Sequence, residues 1–270
     1  GAQGMVDDGL YDRVGKPDVV LGQHVSPMPA GMIAMHAGMA MAASDSLTVT
    51  MHGKGGHGSR PENTVDPIVM AAATVMRLQT IVSRETGGLE TAVVTVGMIS
   101  GGTNNNIIPD EASMRLNVRS YDPKVRERTL SAITRIVQAE AAASGAPEAT
   151  VDHTDYFPPL MNDADAVGQM RQAFQGWLGE DKVVDPGPMT GSEDVGVLAE
   201  AAGVPCAFWF LGGADPALFA GADGPAGIME ALRGIPGNHS PFYAPVIDPT
   251  LRIGVDALLV ALRAWCPPRA

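Results

Sequence analysis

The sequence predicts a discontinuous α/β domain, residues 1–45 plus 157–270, interrupted by a ferredoxin-like α+β insertion at residues 46–156. Three observations predict it. Between Ser46 and Tyr156 the apolar pattern runs strand, helix, strand, strand, helix, strand, which is the ferredoxin-like order. Short apolar runs at Asp18–Leu21 and Cys206–Leu211 flank that stretch and suit buried strands. After Pro158-Pro159 the period becomes helical again, and a closing helix starts at Asp248-Pro249.

Taken in order, Ala2, Met5 and Val6 stand at helical spacing, and Gly9 with Leu10 suits a helix stop. The run Asp18–Leu21 leads into Gly22 and His24, which puts that imidazole at or just past the C-terminal end of a buried strand, where open α/β sheets bind ligands. Within the insertion, Leu47, Val49 and Met51 alternate, and Asp66 followed by Pro67 starts a helix carrying Ile68, Ala72, Val75, Gln79 and Val82. Ala92–Ile99 is β-branched, and Met114, Leu116 and Val118 alternate again. Asp122 and Pro123 open a second helix with Val125, Leu130, Ile133 and Val137, and Ala149, Val151 and His153 give the last strand. Beyond Pro158-Pro159, Asp163 caps a helix bearing Val167, Met170, Phe174 and Trp177, and Asp194 to Ala202 is a short helix. Gly212–Gly237, rich in Gly and Pro, reads as loop; Asp248-Pro249 starts a closing helix with Leu251, Val255, Leu258, Leu259 and Leu262 on one face.

The 270 residues, 45% of them hydrophobic, suffice for one large domain or two ordinary ones. With 18 basic against 30 acidic residues, the formal charge of −12 argues against nucleic-acid or anionic-membrane partners, both of which need a basic face. Cys206 and Cys266 form no CxxC pattern and no disulfide framework. No run of eighteen apolar residues and no leader-like N-terminus occurs, so the expectation is a cytoplasmic protein without a membrane partner.

Chemistry concentrates in Gly53-Lys54-Gly55-Gly56-His57-Gly58-Ser59-Arg60-Pro61, a loop between strand and helix. Its four glycines are expected to take positive φ and let the backbone come close to a ligand. On the strand through Met114, Leu116 and Val118, the opposite face carries Arg115, Asn117 and Arg119, so Arg119 points away from the helix-covered core. A guanidinium there can pair a carboxylate through two parallel hydrogen bonds, although an arginine on an exposed sheet face with no specific task is an open alternative. Asn104–Asn106 reads equally well as turn residues. Glu193 and Asp194 stand at a helix N-terminus, where carboxylates are favoured, and His36, His52 and His153 belong to no motif.

Six pieces in register, Gly22-Gln23-His24, the loop from Gly53 to Ile68, Asn106-Ile107-Ile108-Pro109-Asp110, Val118-Arg119, Gly191-Ser192-Glu193-Asp194 and Asn238-His239-Ser240-Pro241, resemble the M20 family of metallopeptidases and amidohydrolases, in particular its hippurate hydrolase and N-acyl-amino-acid amidohydrolase branch. The resemblance implies a zinc-peptidase-like α/β catalytic domain with an inserted dimerisation domain, hence a homodimer through residues 46–156. It implies hydrolysis of the amide of an N-acyl amino acid or peptide-like small carboxylate, using two divalent ions, zinc or manganese. It assigns His24 and His239 to the metal cluster, His57 to stabilising the tetrahedral intermediate in the partner's site, and Asn106 and Arg119 to substrate binding. Family members also carry a metal-binding histidine element, a bridging acid and a Glu-Glu pair upstream of the segment matching Gly1. None of these is expected here, so the chain is expected to lack the N-terminal part of the catalytic domain, to hold few or no metal ions, and to be catalytically silent as it stands. The rival expectation is a non-catalytic dimerisation or binding module derived from such an enzyme.

Overall fold

The computed structural model describes residues 1–266. In chain order its helices are α1 (Ala2–Asp7), α2 (Leu10–Val14), α3 (Pro67–Thr80), α4 (Pro123–Ala143), α5 (Ala164–Leu178), α6 (Val195–Ala202), α7 (Gly224–Arg233) and α8 (Thr250–Trp265). Its strands are β1 (Val20–Pro29), β2 (Ile33–Ala34), β3 (Gly38–Met41), β4 (Ala43–His52), β5 (Gly56–His57), β6 (Ala92–Gly101), β7 (Ile107–Ile108), β8 (Glu111–Ser120), β9 (Thr150–Phe157), β10 (Leu160–Asn162), β11 (Val183–Val184) and β12 (Cys206–Ala214). They divide into two compact units: one comprises Gly1–Ala40, Leu160–Met189 and the chain from Asp194 onward, the other Met41–Pro159 with Thr190–Glu193.

The second unit is a four-stranded sheet in the order β6-β8-β4-β9 with every pairing antiparallel, the ferredoxin-like arrangement. Period-two alternation puts Leu47, Val49, Met51, Met114, Leu116 and Val118 on one face, each buried, where α3 and α4 cover them. Each such side chain contributes about 1.5–3 kcal/mol by leaving water, so this alternation fixes the register. Both helices start where the sequence indicates: Asp66 accepts from the Ile68 and Val69 N–H groups, and Asp122 from those of Lys124 and Val125. The buried face of α3 differs from the expected one. It presents Met70, Ala71, Thr74 and Leu78 to the core, while Ile68 and Val82 are exposed. This helix is apolar around much of its circumference, so the period is legible but its phase is not.

In the first unit the sheet order is β1-β12-β2-β11. β1 runs parallel to β12 from Val20 opposite Cys206 to Ser26 opposite Gly212, so His24 lies in mid-strand opposite Phe210 and not at the strand end. The ladder with β12 continues past Gly22 and carries the strand on. Trp209 of β12 meets Phe174 of α5 edge to face, with ring centroids 5.1 Å apart, in a core that includes Met170 and Ile33. Asp163 caps α5 through the Ala166 N–H.

Two further expectations are corrected in this unit. The stretch read as loop, 212–237, contains α7 and a short 3-10 turn at Pro216–Phe219; Gly224 and Pro225 open α7, Pro being favoured in a first turn. In α8 the leucine-rich face is the outer one. Gly254, Ala257 and Ala261 are buried, whereas Leu251, Val255, Leu258, Leu259 and Leu262 are exposed by 45–67%. Small residues let the helix approach the sheet closely, with Leu211 filling the space over Gly254.

Candidate functional site

The His57 loop is held by pairing with the strand that follows Asn106. β5 and β7 form a two-stranded ladder, Gly56 opposite Ile108 and His57 opposite Ile107, extended by a bond from the Gly58 N–H to the Asn106 carbonyl at 2.8 Å. His57 and Asn106, forty-nine positions apart in sequence, therefore sit side by side, both exposed. The glycines are not there for positive φ, which none of Gly53, Gly55, Gly56 and Gly58 adopts. Close approach requires them: a Cβ on Gly53 would stand 2.3 Å from the Val65 carbonyl oxygen, and one on Gly55 2.8 Å from that of Ile108.

The loop also fixes the imidazole's protons. The Ser59 N–H donates to His57 Nδ1 at 3.1 Å. An N–H can only donate, so Nδ1 is the acceptor, and the neutral ring carries its proton on Nε2. Ser59 Oγ lies 2.7 Å from the same nitrogen. His57 thus presents an outward N–H donor.

Arg119 lies on the sheet face away from α3 and α4, as its alternation with buried Val118 and Ser120 requires. Its Nη1 donates to the Thr190 carbonyl at 2.9 Å and stands 3.5 Å from Ser192 Oγ. The Gly191-Ser192-Glu193 piece is therefore packed beside Arg119 within the same unit. An open cleft of about 530 Å³ in this unit is lined by Ser100, Thr103, Ile107, Asp110, Glu111 and Ser113.

In the first unit His24 has the opposite tautomer. Its Nδ1 lies 2.6 Å from the Val25 carbonyl, which can only accept, so Nδ1 carries the proton and the neutral ring keeps its lone pair on Nε2. The amide of Asn238 donates to the same carbonyl at 2.6 Å and lies 3.4 Å from His24 Nδ1. The loop bearing His239 is thereby brought to His24 across more than two hundred residues of chain. A histidine whose Nδ1–H is held by a backbone carbonyl is the arrangement in which Nε2 serves as a metal ligand. Beyond that pair the ligand set is short: among the described residues no group of three or more His, Cys, Asp or Glu side chains could hold a metal ion. A catalytic zinc uses three protein ligands, so the described residues do not by themselves fit a two-metal centre.

Two side-chain clusters escaped the motif reading. Asp45, fully buried on β4, accepts from Arg126 Nε at 2.9 Å and Nη2 at 2.6 Å, and His153 Nε2 stands 2.8 Å from its Oδ1. The Arg126 guanidinium lies 4.0 Å above the Tyr156 ring, and hydrogen bonding to Asp45 holds its pKa above the ordinary arginine value. In the first unit Asp185 accepts from the Gly187 N–H at 2.8 Å, with His36 Nδ1 at 2.8 Å and Arg171 at 3.5 Å. Burial pushes the Asp185 carboxyl up, but these donors outweigh it and hold it below the usual carboxylate range. One signal was present for the first cluster, an aspartate in an otherwise apolar strand start, Ala42-Ala43-Ser44-Asp45.

The fold and these sites define the class: a ferredoxin-like unit inserted into the chain of an α/β unit that pairs two histidine-bearing segments. The family description "Peptidase dimerisation domain" matches residues 42–144. N-acetyl-L-cysteine deacetylase of Bacillus subtilis is 35% identical over 213 residues, 78% of this chain and 49% of that protein. Hippurate hydrolase of Campylobacter jejuni is 34% identical over 213 residues, 78% of this chain and 55% of that protein. A crystal structure of an aminohydrolase candidate from methicillin resistant Staphylococcus aureus superposes with a TM-score of 0.73 at 27% identity, covering 98% of this chain and 62% of the other. These matches bear out the resemblance to the M20 amidohydrolases and peptidases. It spans about half the length of the curated relatives it matches.

Proposed function

We propose that this chain serves the hydrolysis of the amide bond of N-acyl amino acids or related small carboxylates. The observation that carries the reading is the pair of opposite tautomers: the His57 ring offers an N–H, and the His24 ring offers a lone pair. Amide hydrolysis uses both kinds of group, a donor for the oxyanion that develops on the carbonyl and a ligand for a Lewis acid. In this reading Arg119 holds the substrate carboxylate, Asn106 binds beside His57, and His57 donates its Nε2–H to the tetrahedral oxyanion. His24 and His239 contribute imidazoles to a divalent-metal centre, zinc or manganese, whose other ligands are not found among the described residues. With two imidazoles the chain by itself holds metal loosely and turns over slowly or not at all.

The partner in this reading is a second copy, through residues 46–156. β6 is an edge strand of the sheet and carries exposed Ile99 on the face that α3 covers, while Val69 and Met76 of α3 are 62% and 72% exposed. Sedimentation should show a dimer that Val69→Glu with Met76→Glu dissociates.

The test of function has two arms. Hippurate binding followed by NMR should weaken roughly tenfold or more in Arg119→Ala, the loss of a charge-assisted pair, and an unchanged affinity removes Arg119 from the site. Metal titration beside an assay of amine release from N-acyl amino acids separates the two readings. Two tightly bound equivalents with turnover lost in His57→Ala support hydrolysis by this chain. Hippurate binding without bound metal supports the binding module, which the short ligand set favours.

A further inference from the structure

The face of the second unit's sheet away from α3 and α4 repeats one arrangement twice. Along β8 the residues on this face are Ser113, Arg115, Asn117 and Arg119. Across the ladder, Arg119 lies between Val93 of β6 and Ser44 of β4, and Arg115 lies between Met98 of β6 and Thr48 of β4. Each guanidinium thus has an apolar neighbour on one side and a hydroxyl on the other. Elsewhere in this acidic chain, arginines such as Arg13, Arg126, Arg135 and Arg171 stand against carboxylates. Arg115 is exposed and forms no ion pair among the described residues, and the hydrogen-bond partners of Arg119 are a carbonyl and a hydroxyl.

We infer that Arg115 and Arg119 form a double carboxylate site, so that the preferred ligand is an N-acyl amino acid with a second, distal carboxylate. The inference rests on the reading of Arg119 as the group that holds the α-carboxylate; Arg115 takes the distal one. Four residues of strand separate the two Cα atoms by about 13 Å, and the long flexible stems let the guanidiniums converge on acids several bonds apart. Asn117, between them, is tied back by its amide to Ser44 Oγ at 2.9 Å and to the Asp45 carbonyl, so it keeps its side chain low on the sheet and leaves room above. The hydroxyl of Thr48 can donate to the distal carboxylate, and Val93 and Met98 suit the methylenes that link the two acids.

NMR titration of the intact chain with N-acetyl-L-glutamate, N-acetyl-L-2-aminopimelate and N-acetyl-L-norleucine at fixed ionic strength tests this. At least one diacid should bind about tenfold more tightly than norleucine's derivative, the scale of one charge-assisted pair. Arg115→Ala should abolish that preference, and Arg84→Ala, an exposed arginine outside this sheet, should keep it. Equal affinities, a preference that survives Arg115→Ala, or one equally lost in Arg84→Ala overturns the double site. If Arg119→Ala still weakens every ligand in those cases, the single-carboxylate reading stands alone. If no ligand binds, both fall.

Discussion

Removing the Asp45 carboxylate should destabilise the second unit by about 3 kcal/mol. Asp45 is fully buried and satisfies three donors, Nε and Nη2 of Arg126 and Nε2 of His153. Deleting one partner of a buried ion pair costs about 3–5 kcal/mol, because the other charge stays desolvated. The Arg126 side chain is 25% exposed and recovers some water, which places the expected cost of Asp45→Ala at the lower end, ~3 kcal/mol. With a urea m-value near 2 kcal/mol/M for a unit of this size, the midpoint should fall by roughly 1.5 M. The same reasoning predicts that Asp45→Leu with Arg126→Met together cost far less than Asp45→Ala alone, since two apolar groups leave no orphaned charge. Trp177, Trp209 and Trp265 all belong to the first unit. Far-UV circular dichroism and hydrogen exchange of β4 and β9 peptides are therefore the readouts. A midpoint shift under about 0.3 M for Asp45→Ala, or a double variant as unstable as the single one, would refute the reasoning.

Three further outcomes follow from named contacts. Gly53→Ala should cost about 1–3 kcal/mol by overpacking against the Val65 carbonyl, whereas Gly97→Ala, with nothing within 4 Å, should be tolerated; thermal melts of the two decide it. Because the folded Asp185 carboxyl titrates below its unfolded value, its stabilising contribution is present above about pH 4 and is lost as pH falls through the folded value. Asp185→Asn should remove that acid-side slope in tryptophan-detected unfolding, and an unchanged slope would assign it elsewhere. On α8, Leu258→Glu, at a 45% exposed position, should change stability by no more than about 0.5 kcal/mol, while Ala257→Glu, at a fully buried one, should prevent the first unit from folding. Equal effects in denaturant titrations would contradict the orientation of the helix.

The sequence by itself determined the element types wherever a periodic pattern met a clear start signal. Asp66-Pro67, Asp122-Pro123 and Asp163 place three helix starts, and the alternation through Leu47 and Met114 places two strands with their buried faces. The motifs also singled out His24, His57, Asn106, Arg119 and His239 as candidates. Tertiary structure decided what periodicity cannot encode. The phase of α3 and the outward leucines of α8 depend on which neighbour a helix meets, and a helix apolar on more than one side offers the same period either way. The juxtaposition of His57 with Asn106, of Asn238 with His24, and of Asp45 with Arg126 and His153 joins residues forty-nine to more than two hundred positions apart. Local patterns are blind to such pairs, because strand pairing and loop closure bring them together. The tautomers of His24 and His57 follow from single backbone groups beside each ring, a carbonyl in one case and an N–H in the other, and only the folded backbone sets which of the two an imidazole meets.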